Sequence, residues 1–247
     1  MPERTENTPT IVLVHGAFAD GSSWNGVIER LQRAGYTAVA PAIGLRGVAA
    51  DSVYLGGVVE QIEGPVLLVG HSYGGAVISD ADTNPTNVVG LVFVAAFAPD
   101  TDEVLGEVTA ESKDAVLMTA LVQRDVPTGR GGESAPEFFI DPERFGEAFA
   151  ADLPPEQTAV MAATQRPVAA AAFSDRCGSP AWKSLPTWSV VATKDKAAGA
   201  DLVRTMARRA GADITEVESS HLVMVSQPQA VTDVILGAAE AVAQSQR

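Results

Sequence analysis

The sequence predicts an α/β protein in which a mostly parallel sheet is covered on both faces by helices. Three observations carry that prediction. Runs such as Thr10-Ile-Val-Leu-Val-His15 and Val88-Val-Gly-Leu-Val-Phe-Val-Ala-Ala96 are apolar at consecutive positions, as strands buried on both faces are. Helix-compatible stretches separate these runs, so strand and helix alternate along the chain. At 247 residues and 46% hydrophobic side chains, the chain is long enough to bury a large core and too apolar for disorder.

The elements follow in order. Residues 1–9 read as a solvated tail. Thr10–His15, bounded by Pro9 and Gly16, is the first strand. Gly16–Ser23 is a loop, and Trp24–Arg33 a helix stopped at Gly35. Tyr36–Pro41 is the second strand. A loop with Gly44 and Gly47 leads to Asp51, an expected N-cap for a helix over Val53–Ile62. Pro65–Val69 is a strand, Tyr73–Ala81 a helix and Val88–Ala96 a strand. The alternation then lapses. From Pro99 to about Pro186 the chain has acidic clusters, the turn-rich Pro127-Thr-Gly-Arg-Gly-Gly132, and helix-like pieces around 111–124, 141–151 and 155–164. A segment of that length without an expected strand predicts a helical cap inserted into one sheet domain. The division is core over 1–98, cap over 99–186 and core over 187–247. The α/β pattern resumes with a strand at Thr187–Thr193, a helix at Gly199–Ala210 and a strand at Asp213–Glu218. An amphipathic helix over Ser226–Gln244 closes the chain.

Composition bounds the function. Seventeen Lys+Arg against 31 Asp+Glu give a formal charge of −14, which argues against nucleic acid as a partner. No apolar run reaches the ~18–20 residues of a membrane span. Residues 1–8 have no apolar signal region. Cys177 is the single cysteine and cannot form an internal disulfide, so a cytoplasmic location is expected. Three histidines and one cysteine do not group into a zinc set, and no P-loop is present, so neither metal nor cofactor is expected. Oligomeric state is not legible.

The chemistry centres on Val66-Leu-Leu-Val-Gly-His-Ser-Tyr-Gly-Gly75. A G-x-S-x-G pattern between a strand and a helix is a nucleophile elbow, a turn so tight that Ser72 is strained and exposed at a strand end. A serine hydroxyl needs a base to take its proton, and histidine suits the role because its pKa lies near the working pH. His15 ends the first strand. His71 adjoins Ser72 and projects away from it. His221, in the turn before the last helix, is therefore the expected base. The imidazole needs a carboxylate to fix its tautomer and stabilise its cation. In the chain order Ser, acid, His, Asp195 falls directly after the resumed strand, with Lys194 and Lys196 expected to keep it ionised. Asp201 and Asp100 are its competitors. Backbone N–H donors for an oxyanion are expected from Tyr73, after the nucleophile, and from Ala17, in the His15-Gly-Ala-Phe18 loop.

With His15-Gly-Ala-Phe18, Trp24, Gly70–Gly75, Phe97-Ala-Pro-Asp100, Asp195 and His221 in order, the chain resembles the α/β-hydrolase superfamily over essentially its whole length. Within it, the chain is similar to small bacterial carboxylesterases related to plant methylesterases and hydroxynitrile lyases. The resemblance implies a sheet of six parallel strands, Ser72 as nucleophile, His221 as base, Asp195 as acid, and Ala17 and Tyr73 as oxyanion donors. It further implies a pocket for a small-molecule ester, walled by Phe18, Tyr73 and Phe97 and closed by Leu222 and cap residues. The expected activity is hydrolysis of small to medium apolar carboxylic esters through an acyl-enzyme. A lyase of the hydroxynitrile type, a lactone-hydrolysing relative and a small-ligand receptor on the same fold are the alternatives. The lyases of that branch carry Lys and Thr where this chain has Leu222 and Gly16.

Overall fold

The computed structural model describes residues 7–80, 83–128 and 131–245. Its strands are β1 (Thr10–Val14), β2 (Ala38–Val39), β3 (Val66–His71), β4 (Val88–Val94), β5 (Leu121–Pro127), β6 (Ser134–Ile140), β7 (Val168–Ala169), β8 (Thr187–Ala192) and β9 (Asp213–Val217). Six of them form one sheet in the order β2-β1-β3-β4-β8-β9, every neighbouring pair parallel. The consecutive apolar runs are the reason. β1 and β3 are buried at every residue, which only a sheet covered on both faces allows. The helices of the sheet domain are α1 (Asn25–Arg33), α2 (Val48–Val59) and α3 (Tyr73–Ser79), followed after an insertion by α8 (Ala200–Arg209), α9 (Val223–Ser226) and α10 (Pro228–Ser245). α1 packs against α10, and α2 against α3.

Strand order sets the position of the site. From β1 the chain moves outward to β2, whereas from β3 it moves the other way to β4. The two departing loops diverge, and the crevice between them is where ligands of open α/β sheets bind. Val14 is in register with Gly70, so His15-Gly16 lies beside His71-Ser72.

The insertion corrects one expectation. It carries helices α4 (Leu105–Ala110), α5 (Phe145–Phe149), α6 (Pro155–Thr164) and α7 (Ala171–Ser174), but also an antiparallel sheet β5-β6-β7. The piece read as helix over 111–124 is a 3-10 turn, Leu117–Ala120, followed by β5. β5 is exposed along most of its length, so its sequence shows neither the alternation nor the apolar run that marks a buried strand. The turn over 127–132 connects β5 to β6; its Gly129 and Arg130 lie outside the described residues, as do residues 1–6 of the tail and Ala81 of the expected elbow helix. Asp51 is not an N-cap. α2 begins at Val48 behind Gly47, and Asp51 points inward from the first turn, where it is buried and accepts from the Tyr73 hydroxyl at 2.7 Å.

Candidate active site

β3 runs without a break into the elbow. Ser72 has φ 53° and ψ −121°, a left-handed conformation that costs a non-glycine residue ~1–3 kcal/mol. Its carbonyl oxygen accepts from Gly75 N at 2.9 Å and Phe97 N at 3.2 Å, which holds the strained turn from both sides. The flanking glycines are needed for close approach. A Cβ on Gly70 would sit 2.6 Å from the carbonyl oxygen of Gly74, and one on Gly74 would sit 2.5 Å from that of Val14. The tight strand-to-helix packing that sets Ser72 at the carboxyl end of β3 therefore follows from the sequence pattern itself, although Ser72 is buried rather than exposed.

The β9–α9 connection brings His221 to the same edge. His221 Nδ1–H donates to Asp195 Oδ2 at 2.8 Å, and both residues are about 1% exposed. The other carboxylate oxygen accepts from Ala197 N at 2.8 Å and Ala198 N at 3.1 Å. These backbone donors take the part expected of the neighbouring lysines. Lys194 instead pairs with Glu218 at the surface, and Lys196 is exposed. His221 Nε2 is buried and has no partner among the described residues. Ser72 Oγ is therefore not hydrogen-bonded to it. The competing carboxylates are engaged elsewhere: Asp100 pairs with Lys183 at 2.5 Å, and Asp201 accepts from Ser112 Oγ and from Lys113 N.

The other two histidines brace this arrangement. His71 Nε2–H donates to the His221 carbonyl at 3.1 Å, and the two rings lie 4.7 Å apart. Burial, reinforced by the neighbouring His221, holds the His71 pKa well below its ordinary value, so the ring is neutral. His15 Nδ1–H donates to the Gly16 carbonyl at 2.9 Å, while Nε2 accepts from Ile43 N at 3.1 Å. This pair of bonds needs the neutral tautomer, and burial lowers the His15 pKa accordingly. The β1 loop is thereby fixed. A Cβ on Gly16 would lie 2.8 Å from both Ser72 Cβ and His71 Nδ1. Among the described residues neither Ala17 N nor Tyr73 N donates to a protein acceptor.

Of the expected pocket residues, Phe18 is buried with φ 60° and meets Phe149 edge-on at 6.1 Å and Phe173 stacked at 6.5 Å. Phe97 touches the elbow through its backbone, and Leu222 is fully buried beside His221 in the chain. Three further groups come from the insertion. The Phe149 ring lies 5.0 Å from the His221 imidazole, and Phe145 packs on Phe149 at 5.3 Å. Asp152 accepts from Ser219 and Ser220, which directly precede His221. Arg166 donates to the Ile43 carbonyl at 2.8 Å, beside His15. The i, i+4 spacing of Phe145 and Phe149 on one short helix was the only sequence signal for any of them.

Residues 11–234 match the family described as "Alpha/beta hydrolase family". The chain is 31% identical to the pyrethroid hydrolase of Sphingobium wenxiniae over 164 residues, 59% of this chain and 56% of that protein. It is 34% identical to methylesterase 7 of Arabidopsis thaliana over 109 residues, 38% of this chain and 42% of that protein. The chain thus spans about half the length of the curated relatives it matches. The crystal structure of polyneuridine aldehyde esterase has a TM-score of 0.79 at 21% identity, over 94% of this chain and 99% of that one; at this identity the likeness is one of fold.

Proposed function

The chain belongs to the alpha/beta hydrolase family, and we propose that it acts there as a serine-dependent carboxylic ester hydrolase. One observation carries the reading. A buried His221–Asp195 pair, with Nε2 unpartnered, stands at the sheet edge that also bears the strained Ser72.

The reaction follows from that geometry. Ser72 Oγ attacks the ester carbonyl as His221 Nε2 takes its proton, and Asp195 stabilises the imidazolium. The N–H groups of Ala17 and Tyr73 receive the oxyanion. Collapse of the tetrahedral intermediate expels the alcohol, which takes the proton from His221 and leaves an acyl-Ser72. Water, deprotonated by the same imidazole, then releases the acid.

Residues 99–186 act as a cap over this centre. Phe18, Phe145, Phe149, Phe173 and Phe138 form a chain of ring contacts leading away from His221, which supports a small to medium apolar ester as substrate. Phe97 and Leu222 complete the apolar wall. The pyrethroid hydrolase and methylesterase names of the relatives agree with ester cleavage. No helix among the described residues is long and apolar enough to cross a membrane. The single cysteine, Cys177, supports a cytoplasmic location as part of this proposal. The test is turnover of p-nitrophenyl esters of graded acyl length by wild type and Ser72→Ala. Loss of turnover in the variant is expected; equal turnover by both overturns the proposal.

A further inference from the structure

The loop that presents His221 has no regular secondary structure across residues 218–221. Its conformation therefore depends on what grips it. From the sheet domain, Lys194 N donates to the Ser219 carbonyl at 3.0 Å and His71 donates to the His221 carbonyl. From the insertion comes a single carboxylate. Asp152 Oδ2 accepts from Ser219 Oγ at 2.8 Å and from Ser220 N at 3.1 Å, and Oδ1 accepts from Ser220 Oγ. Ser219 and Ser220 are buried, whereas Asp152 itself is exposed. Buried hydroxyls need acceptors. Ser220 Oγ finds its acceptor on Asp152, a residue distant in sequence, whereas Ser219 Oγ also lies 3.0 Å from the Ser220 carbonyl and 2.7 Å from Ser226 Oγ. Partial burial of its carboxyl pushes the Asp152 pKa up, but the bonds from Ser220 and Ser219 outweigh it and hold the carboxyl below its ordinary value, so it is a charged acceptor near neutral pH.

Asp152 lies three residues after Phe149, whose ring covers the His221 imidazole. One short stretch of the insertion thus packs on the imidazole and also holds the backbone that carries it.

We propose that Asp152 is a positioning residue: by gripping Ser219 and Ser220 it keeps the His221 imidazole aligned with Ser72 while α5 is seated on it. The inference rests on the triad reading above. It also makes the insertion part of the machinery that orients the base, in addition to its role as a cover for substrate. Losing the grip frees the loop on one side, while the Asp195 bond tethers only the ring. Displacement of a reacting group by about 1 Å costs on the order of 100-fold in rate. Substrate contacts made by the phenylalanine rings are left in place.

The experiment compares Asp152→Ala, Asp152→Asn and Ser72→Ala on p-nitrophenyl butyrate, with kcat expressed per titrated active site and folding checked by thermal melting. Asp152→Ala is expected to lower kcat by roughly 10- to 100-fold with KM changed by less than about threefold. Asp152→Asn, whose amide oxygen still accepts from the loop, recovers part of the loss. Unchanged kcat per site in Asp152→Ala, with Ser72→Ala inactive, overturns this inference alone. A loss that matches the loss of titratable sites also overturns it, because it marks a purely structural role. Wild-type turnover by Ser72→Ala removes the triad reading and this inference with it. If Asp152→Ala does not fold, Ser220→Ala, which removes one donor from the same carboxylate, is read by the same criteria.

Discussion

Gly16→Ala puts one methyl group at the most crowded point of the site. Gly16 is not needed for an unusual φ; it is needed because nothing larger fits. The added Cβ would lie 2.8 Å from Ser72 Cβ, 2.8 Å from His71 Nδ1 and 3.1 Å from the His71 carbonyl oxygen. Carbon atoms in contact prefer about 3.5–4.0 Å, so relief requires a shift of roughly 1 Å. Neither neighbour yields easily. Ser72 is fixed by two hydrogen bonds to its carbonyl, and His71 is fully buried and tied to His221. The β1 loop has to move instead, and with it Ala17 N, the proposed oxyanion donor. Overpacking of this kind destabilises by about 1–3 kcal/mol. Removing one oxyanion donor costs about 2.7–4 kcal/mol of transition-state stabilisation, or 10²–10³ in kcat. The assay is p-nitrophenyl ester kinetics beside a urea melt: kcat should fall by two orders of magnitude or more while most molecules remain folded. Wild-type kcat in Gly16→Ala would refute both the crowding argument and the assignment of Ala17.

Tyr73→Phe removes the hydroxyl that donates to the buried Asp51 Oδ2 at 2.7 Å and leaves Arg46 N, at 3.1 Å, as the donor to that oxygen. Urea denaturation should show a loss of about 1–3 kcal/mol, with ester turnover retained because the proposed oxyanion donor at this position is the backbone; unchanged stability would mean that the bond is dispensable. His15 and His71 have folded pKa values lowered by burial, so the unfolded chain binds more protons as pH falls below 6.5. Stability should therefore be fully present above pH 6.5 and decline below it, by up to ~1.4 kcal/mol per pH unit for each histidine; a flat unfolding free energy between pH 6.5 and 5 would contradict burial of the neutral rings. Burial pushes the Cys177 thiol up to about 12, so iodoacetamide at pH 8 should label it only after unfolding, and rapid native labelling counted by mass spectrometry would contradict its environment.

The sheet was legible because buried parallel strands are apolar at every position, as in Val66-Leu-Leu-Val and Leu91-Val-Phe-Val. Ser72, His221 and Asp195 stand out in the sequence for a different reason, and the structure pairs His221 with Asp195. A strained turn has a strict glycine pattern, and with three histidines in the chain the search for a base is short. The insertion was legible as an interruption but not in its structure. β5 keeps little of its surface buried, β6 contains Pro136, and β7 pairs only at Val168 and Ala169, so none carries a strand signature of its own. Phe149, Asp152 and Arg166 were missed because their contacts arise from where the insertion docks. Local sequence explains why Phe145 and Phe149 share a helix face, but not that this face meets an imidazole. Charge adjacency also misled. Lys194 neighbours Asp195 in sequence, yet backbone N–H groups satisfy the acid and the lysine turns outward to Glu218.

The most direct measurement is intact-protein and peptide mass spectrometry after treatment with a serine-directed fluorophosphonate. One adduct per chain is expected, on the peptide containing Ser72, with ester turnover lost in step with its formation. Ser72→Ala should take up none, and His221→Ala should react slowly because no base is left to accept the serine proton. Full inactivation without an adduct on Ser72, or full labelling of Ser72 with ester turnover intact, would contradict the central role assigned to the elbow.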